Sequence, residues 1–419
     1  MYLLTTCASC AAPLGSKRAK QCSRCKTRYC SATCQRDHWA RGHQSLCKKI
    51  KKAGDAETYH ANEKYKVAVA VAVAACAEDT KGQTCYICKE AIQRVNEEGL
   101  VSGHCACRGP AGFVHVGCLV HQSVTLIHDE AMDKSVAATK NAAYRKLGPK
   151  WRRLWFNCPR CKGEYCGDVQ IALGWSCWCS HRLNQRDEMV NQEAYSIFAR
   201  ISVRALALRL FAKKHFEEAR ALYLALLNSV PPGTLTMDTG STEASLEREE
   251  TIGDMDKLAI CHGKLGRADD ELTARKLVHH ATRSLFGRRA TYATAIKLAS
   301  VLLDQHYVHD ALELLSDICP DVAGDLGFDH HLTVELFHLL CRARWMHHFY
   351  GREGYRDDLR EAVTELLGLL GLNLTWEVSQ PIRNTLRLAL THQLDWSLED
   401  LNLDPSELEA IISAGLFRG

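Results

Sequence analysis

The chain has 419 residues, 46% of them hydrophobic, which is enough for two to four domains with cores of their own. Its formal charge of +4 at pH 7 is too small to mark a nucleic-acid binder. The longest apolar run, VAVAVAVAAC at 67–76, is shorter than the roughly 20 residues a membrane helix needs. The start MYLLTTC has neither the charged head nor the apolar run of a signal peptide, so a soluble cytoplasmic or nuclear protein is expected, with no membrane partner.

Cysteine usage splits the chain. Of 21 cysteines, 18 lie in residues 1–179 and 3 in the remaining 240. In a reducing compartment, dense paired cysteines bind metal rather than form disulfides. The first group runs Cys7-x2-Cys10, Cys22-x2-Cys25, Cys30-x3-Cys34 and His43-x3-Cys47. These four pairs are enough for two closed tetrahedral zinc sites. A segment of this size buries too little apolar surface to fold without such staples.

With RYC ending at Cys30 and CQRDHWARGHQSLC at 34–47, the pattern resembles the MYND zinc finger over residues 7–47. The resemblance implies that Cys7, Cys10, Cys30 and Cys34 hold one ion and Cys22, Cys25, His43 and Cys47 the other, with His38 outside both. It further implies a groove for proline-containing peptide motifs at Gln35 and Trp39. The alternative is that Trp39 caps a small core. A finger over 1–50 is expected, then a linker over 51–80 that opens on the basic run KKIKK (48–52), read as solvated.

The second group holds Cys85 and Cys88 in CYIC, four residues of CACRGPAGFVHVGC (105–118), and Cys158 and Cys161 in CPRC. One ion on Cys105, Cys107, His115 and Cys118 strands the outer pairs about 70 residues apart, whereas interleaving uses all eight. The order resembles the RING-CH finger. That family implies one site of Cys85, Cys88, His115 and Cys118, and a second of Cys105, Cys107, Cys158 and Cys161. The seven residues between Cys107 and His115 separate it from the PHD finger, which Trp155 keeps as an alternative. RING-CH fingers dock a ubiquitin-conjugating enzyme, here implied at Ile87, Pro159 and Lys162, while Gln122 stands where the family commonly carries Trp. This finger is expected over 81–187, with a helical insertion at HDEAMDKSVAATKNAAYRKLG (128–148). Cys166, Cys177, Cys179 and His181 form no matched quartet and read as ordinary side chains, the thiols as small buried hydrophobes, rather than as a third site.

From 188 to 419 apolar residues recur at helical spacing. KLAICHGKLGRADDEL (257–272) overlays KLASVLLDQHYVHDAL (297–312) at an offset of 40, with looser copies at FAKKHFEEARALY near 211 and YRDDLREAVTELL near 355. The set resembles tetratricopeptide repeats of the longer kinesin-light-chain type. Ala219, Ala311 and Ala362 take the small-residue position and Glu271 departs from it. Stacked hairpins of that kind expose a concave, peptide-binding face; the alternative is that they pad the zinc modules. PPGTLTMDTGSTEAS (231–245) reads as an exposed loop.

The expected architecture is mainly α: two small cross-braced zinc modules holding four Zn²⁺ ions, followed by an α-helical tetratricopeptide-like solenoid. With IALGWSCW (171–178) after the finger, it is similar to algal RING-CH proteins with tetratricopeptide tails. Fourteen thiolates and four zinc ions take the formal charge to −2, so nucleic acid is not an expected partner. The resemblance implies a ubiquitin ligase whose finger recruits the conjugating enzyme while the repeats and the first groove hold the substrate. The alternative, a non-enzymatic interaction adaptor, is favoured by Gln122. A MYND-type methyltransferase needs an Asn-His motif the chain lacks, and no Gly-x-Ser-x-Gly elbow occurs.

Overall fold

The computed structural model describes residues 2–14, 19–93, 97–131, 153–184, 192–230, 242–327 and 330–349. The described chain is mainly helical and divides into two compact units, 1–231 and 232–419.

The first unit opens with little regular structure, as cysteine-punctuated sequence dictates. A two-residue ribbon, β1 (Lys20–Gln21) against β2 (Arg28–Tyr29), pairs Lys20 with Tyr29 and Gln21 with Arg28 in antiparallel register. Helix α1 (Ala32–His38) starts at Ser31, whose hydroxyl accepts from the Cys34 amide at 3.1 Å. A π-helical turn at Trp39–His43 leads into α2 (Gln44–Lys52), with the kink absorbed by Gly42 at φ 109°. The core beneath is small, and ligand residues make up half of it: Cys7, Cys22, Cys25 and Cys47 beside Leu14, Tyr29, Ile50 and Ala56.

Residues 51–80, expected as a linker, instead carry α3 (Ala56–Ala75), which packs along α5 (Gly167–Asn184). Ala61, Ala68, Val69 and Ala72 form its buried face, and their small side chains permit close approach. Asp55 caps α3 through the Thr58 amide at 2.8 Å. Glu57, in the first turn, accepts from the amides of Leu3 and Leu4 at 2.8 and 3.2 Å. Buried, with two backbone donors, that carboxylate ties the start of the chain to the helix.

The second cysteine-rich region is braced by single bridges, Val101 to Val114 and Asn157 to Glu164, and by α4 (Val116–Ala131). Most of the 128–148 insertion lies outside the described residues. Trp155 and Phe156 are fully buried with Cys177 and Ala205, which joins this region to α5 and α6 (Gln192–Ala212). Each such aromatic contributes about 1.5–3 kcal/mol by burial. Trp155 therefore serves a core. A Cβ on Gly174 would fall 2.8 Å from Leu206 Cδ1, so a glycine is required where α5 and α6 touch. α7 (Phe216–Leu227) packs back on α6, and Lys64 of α3 pairs with Glu218. The break between units therefore falls at 231/232, not near 188, because α6 shares a core with Trp155, Phe156 and α5, and α7 packs on α6.

The second unit is a run of antiparallel helices: α8 (Thr242–Lys264), α9 (Ala268–Phe286), α10 (Tyr292–Asp304), α11 (Val308–Leu326) and α12 (His331–Phe349). The offset of 40 reappears in three dimensions. α8 and α10 end 40 apart, α9 and α11 begin and end 40 apart, and Gly287 and Gly327 stop the latter two at φ 80° and 81°. At each hairpin turn one residue has positive φ, Gly266 at 68° and His306 at 63°. The next amide then reaches back five residues, Arg267 to His262 and Tyr307 to Leu302. The α6–α7 turn repeats the device with Lys214 at 63° and His215 bonded to Leu210. Glu271 fits because its partner eight residues earlier is Gly263, over which its carboxylate lies; the corresponding pairs are Leu303 with Ala311 and Phe211 with Ala219. The copy near 355, with Ala362, lies outside the described residues. No helix among the described residues is long and apolar enough to cross a membrane.

Candidate metal centres

All four Cys-x2-Cys turns share one backbone plan. The first cysteine's amide donates to a carbonyl five residues on: Cys7 to Ala12, Cys22 to Thr27, Cys85 to Glu90 and Cys158 to Gly163, at 2.8–2.9 Å. Its carbonyl accepts from the fourth residue on, Ala11, Lys26, Lys89 or Lys162, at 2.9–3.0 Å. That fourth residue takes a left-handed conformation in each, with φ between 59° and 67°. Four non-glycine residues in this region mark a geometry that the turn's paired hydrogen bonds hold against local preference, and one that brings both cysteine sulfurs to the same side. The remaining donors come from helices and one bend. Cys30 and Cys34 flank the start of α1, His43 and Cys47 sit one helical turn apart at α2, His115 and Cys118 open α4, and Cys105 and Cys107 lie in the bend ahead of the Gly109–Gly112 turn.

These elements gather the donors into four quartets, each with its ligand atoms within 4.8 Å of one another: Cys7, Cys10, Cys30, Cys34; Cys22, Cys25, His43, Cys47; Cys85, Cys88, His115, Cys118; and Cys105, Cys107, Cys158, Cys161. A tetrahedral zinc ion with Zn–S of 2.3 Å places sulfurs about 3.7 Å apart, and a sulfur and an imidazole nitrogen about 3.5 Å apart. The observed separations match. Cys10 and Cys30 are 3.6 Å apart, Cys22 and Cys47 3.8 Å, and Cys107 and Cys158 3.7 Å. His43 Nε2 lies 3.3 Å from Cys25 Sγ, and His115 Nδ1 lies 3.4 Å from Cys88 and 3.7 Å from Cys118. Disulfides, at about 2.05 Å, are excluded, and the cysteines are free thiols. The donor sets fit zinc, which would supply structure at these sites and leave no open coordination position for chemistry.

The surroundings prepare each quartet for a dication. Burial opposes ionisation of Cys7, but the backbone amides of Cys10, Cys30 and Ser9 outweigh it and bring its pKa down to about 6. Cys161 also reaches about 6, against burial, through the amides of Gly163 and Ala106. Cys22 and Cys85 are lowered in the same manner. The neighbours move oppositely: Cys30 rises to about 12 beside Cys34, Cys10 and Cys7, and Cys47 rises to about 12 through burial and then Cys25 and Cys22. One thiolate per site therefore forms readily and repels the next, a penalty that a divalent ion removes. Burial lowers the pKa of His43 and His115, keeping both neutral as ligation requires. His115 Nε2–H donates to the Ala91 carbonyl at 3.3 Å, which leaves Nδ1 as the ligand atom.

In a sequence comparison, the family model of the MYND finger matches residues 7–47. Residues 7–47 are a MYND finger. No curated protein matches the chain. As a MYND finger, this region is a zinc-binding module for protein–protein interaction. Its two sites differ in shielding: Cys22, Cys25, His43 and Cys47 are all buried, while Cys10 and Cys30 are exposed. His38 stands outside both quartets, 2.9 Å from the Tyr29 hydroxyl and stacked on His43. Trp39 is 38% exposed with its ring edge-on to His43, and Gln35 lies half-buried one turn earlier.

In the second module, Ile87 and Pro159 are half-buried and Lys162 is exposed. Lys162 Nζ donates to the Pro159 carbonyl at 2.6 Å. Gln122 is half-buried on α4. Contacts around the ligands add to this, most of them joining residues far apart in the chain and so hidden in the sequence. Arg160 lies 5.2 Å over the Tyr86 ring, joining two zinc turns. Glu98 accepts from the Gly117 amide at 3.0 Å at the start of α4, and Gln93 Nε2 donates to Cys118 Sγ at 3.8 Å. Thr27 Oγ1, 3.1 Å from Cys25 Sγ, sits just after its zinc turn. Cys177 and Cys179 are buried in α5, bonded to Ser202 and Asn62, and Cys166 is exposed against the Gly103 carbonyl. No third quartet forms among the described residues.

Proposed function

We propose that the protein is a RING-CH-type ubiquitin ligase carrying four zinc ions. Residues 81–187 recruit the conjugating enzyme, and the MYND finger and the helical hairpins, which resemble tetratricopeptide repeats, hold the substrate. The observation that supports this reading is the Tyr86–Arg160 contact. It draws the Cys85 and Cys158 turns together, so that Ile87 and Pro159, each adjacent in sequence to one of the pair, can form one platform. Catalysis is then positioning of a charged conjugating enzyme, because closed zinc–thiolate sites offer no nucleophile and no vacant ligand position. Lys162 has to release the Pro159 carbonyl before its ammonium can reach a bound ubiquitin. A second reading, a non-enzymatic adaptor, draws on Gln122, a polar residue where a docking aromatic is expected.

An in vitro ubiquitination assay across a panel of conjugating enzymes tests the two. The ligase reading expects chain formation that Ile87→Ala abolishes without loss of zinc, since truncating an apolar anchor costs about 1–4 kcal/mol of a weak complex. Absence of chains with every enzyme tried, unrescued by Gln122→Trp, leaves the adaptor.

A further inference from the structure

The charge of this protein is not spread evenly. Residues 1–55 contain twelve Lys and Arg against two Asp and no Glu, a formal +10; seven thiolates and two zinc ions bring this to +7. Residues 56–419 carry 41 Lys and Arg against 47 Asp and Glu, a formal −6 that becomes −9 with the other seven thiolates and two ions. The near-neutral total conceals a strongly basic N-terminal segment, the MYND finger at 7–47 together with the rest of α2, which continues from it.

Its cations are available. Lys20, Arg24, Lys26, Arg36, Lys48, Lys49, Lys51 and Lys52 are exposed, and none pairs with a carboxylate among the described residues. On α2, Cys47 and Ile50 face the core. At 100° per residue, Lys48, Lys49 and Lys52 fall on the opposite arc, while Lys51 is exposed on the flank about 40° from Cys47. Arg36 stands one turn from Trp39 on α1, so a cation borders the exposed indole. A stabilising role for so many like charges on so small a module is excluded, because they repel one another.

We propose that this finger captures an acidic polypeptide segment, its carboxylates lying along the Lys48, Lys49, Lys51 and Lys52 face and beside Arg36 and Trp39. The inference rests on the finger's being a protein-interaction module and specifies the composition of what it binds. One observation favours polypeptide over nucleic acid, beside the finger's being a protein-interaction module. A single-stranded nucleic acid needs several stacking platforms, and Trp39 is the only large aromatic exposed among the described residues of the finger.

The experiment is fluorescence anisotropy on the full chain, with a labelled peptide carrying glutamates around a Pro-x-x-Pro core, its glutamine counterpart, and a single-stranded RNA of equal charge. The proposal expects the glutamate peptide to bind at least about tenfold more tightly than the glutamine one, from several exposed charge pairs acting together. Raising salt from about 50 to about 200 mM should weaken it severalfold by screening. The Lys48/Lys49/Lys51/Lys52→Gln variant should lose about tenfold while retaining the wild-type zinc content, which shows it folded, and Arg36→Gln should give a smaller loss. Equal binding of the two peptides overturns the acidic specificity and leaves the protein-interaction reading standing. Binding of RNA in preference to both peptides overturns both. Binding of no probe, or salt-insensitive binding, overturns the proposal.

Discussion

Exchanging the sizes of Gly263 and Glu271 tests whether the helical hairpins are one repeated design. A Cβ placed on Gly263 falls 2.6 Å from Glu271 Cδ, so Gly263→Leu must expel the carboxylate. That removes its 3.6 Å contact with Arg275 and overpacks the crossing by about 1–3 kcal/mol, against a helix-propensity gain of about 1 kcal/mol. Glu271→Ala alone leaves a gap over Gly263 and loses an i,i+4 pair worth about 0.3–0.5 kcal/mol. The double variant rebuilds the Leu303–Ala311 pair found 40 residues later, and the favourable coupling between the two changes should be at least about 1 kcal/mol. Thermal unfolding followed by helical ellipticity reads this as a recovery of about 2–4 °C relative to Gly263→Leu. A double variant no more stable than that single one would show that the hairpins pack in unrelated ways.

Glycine at the positive-φ position of a zinc turn, as in Lys26→Gly or Lys89→Gly, should stabilise by up to about 1 kcal/mol with zinc content unchanged; chemical denaturation checks this, and Lys89→Val should instead destabilise. Acid should strip zinc. Ligation requires thiolates, so proton competition favours release as pH falls, most strongly below about 6, where in the metal-free sites even Cys7 and Cys161 take up protons; a zinc-sensitive dye should report release that grows as the pH is lowered. A chelator at neutral pH should unfold the finger and the second zinc module while sparing α8 to α12, which contain none of the sixteen ligands, and circular dichroism should retain that helical signal.

The metal centres were legible because their information is local. A Cys-x2-Cys turn brings two donors together within one tight loop, so spacing alone marks it; the pairing of turns across the chain came from family resemblance. The hairpin repeat was legible for a related reason: an offset of 40 in sequence survives as an offset of 40 in helix ends and turn residues. α3 was not legible. In KVAVAVAVAA the alternation of Val and Ala hides any 3.6-residue period, since alanine is accommodated on both faces, and Val67 and Val71 remain exposed while Ala68 and Ala72 are buried. The boundary at 231/232 was also hidden, because it depends on Trp155 and Phe156 meeting α6, a contact between residues about 50 positions apart. Glu57, whose burial joins α3 to residues 3 and 4, looks in the sequence like any exposed helical glutamate.

Counting the zinc in the intact protein tests the central claim most directly. Native mass spectrometry of the full chain purified without chelator should show four ions, one for each quartet, and a Cys107→Ser variant should show three with the MYND finger still loaded. A wild-type protein that saturates at two zinc ions would contradict the cross-braced second module.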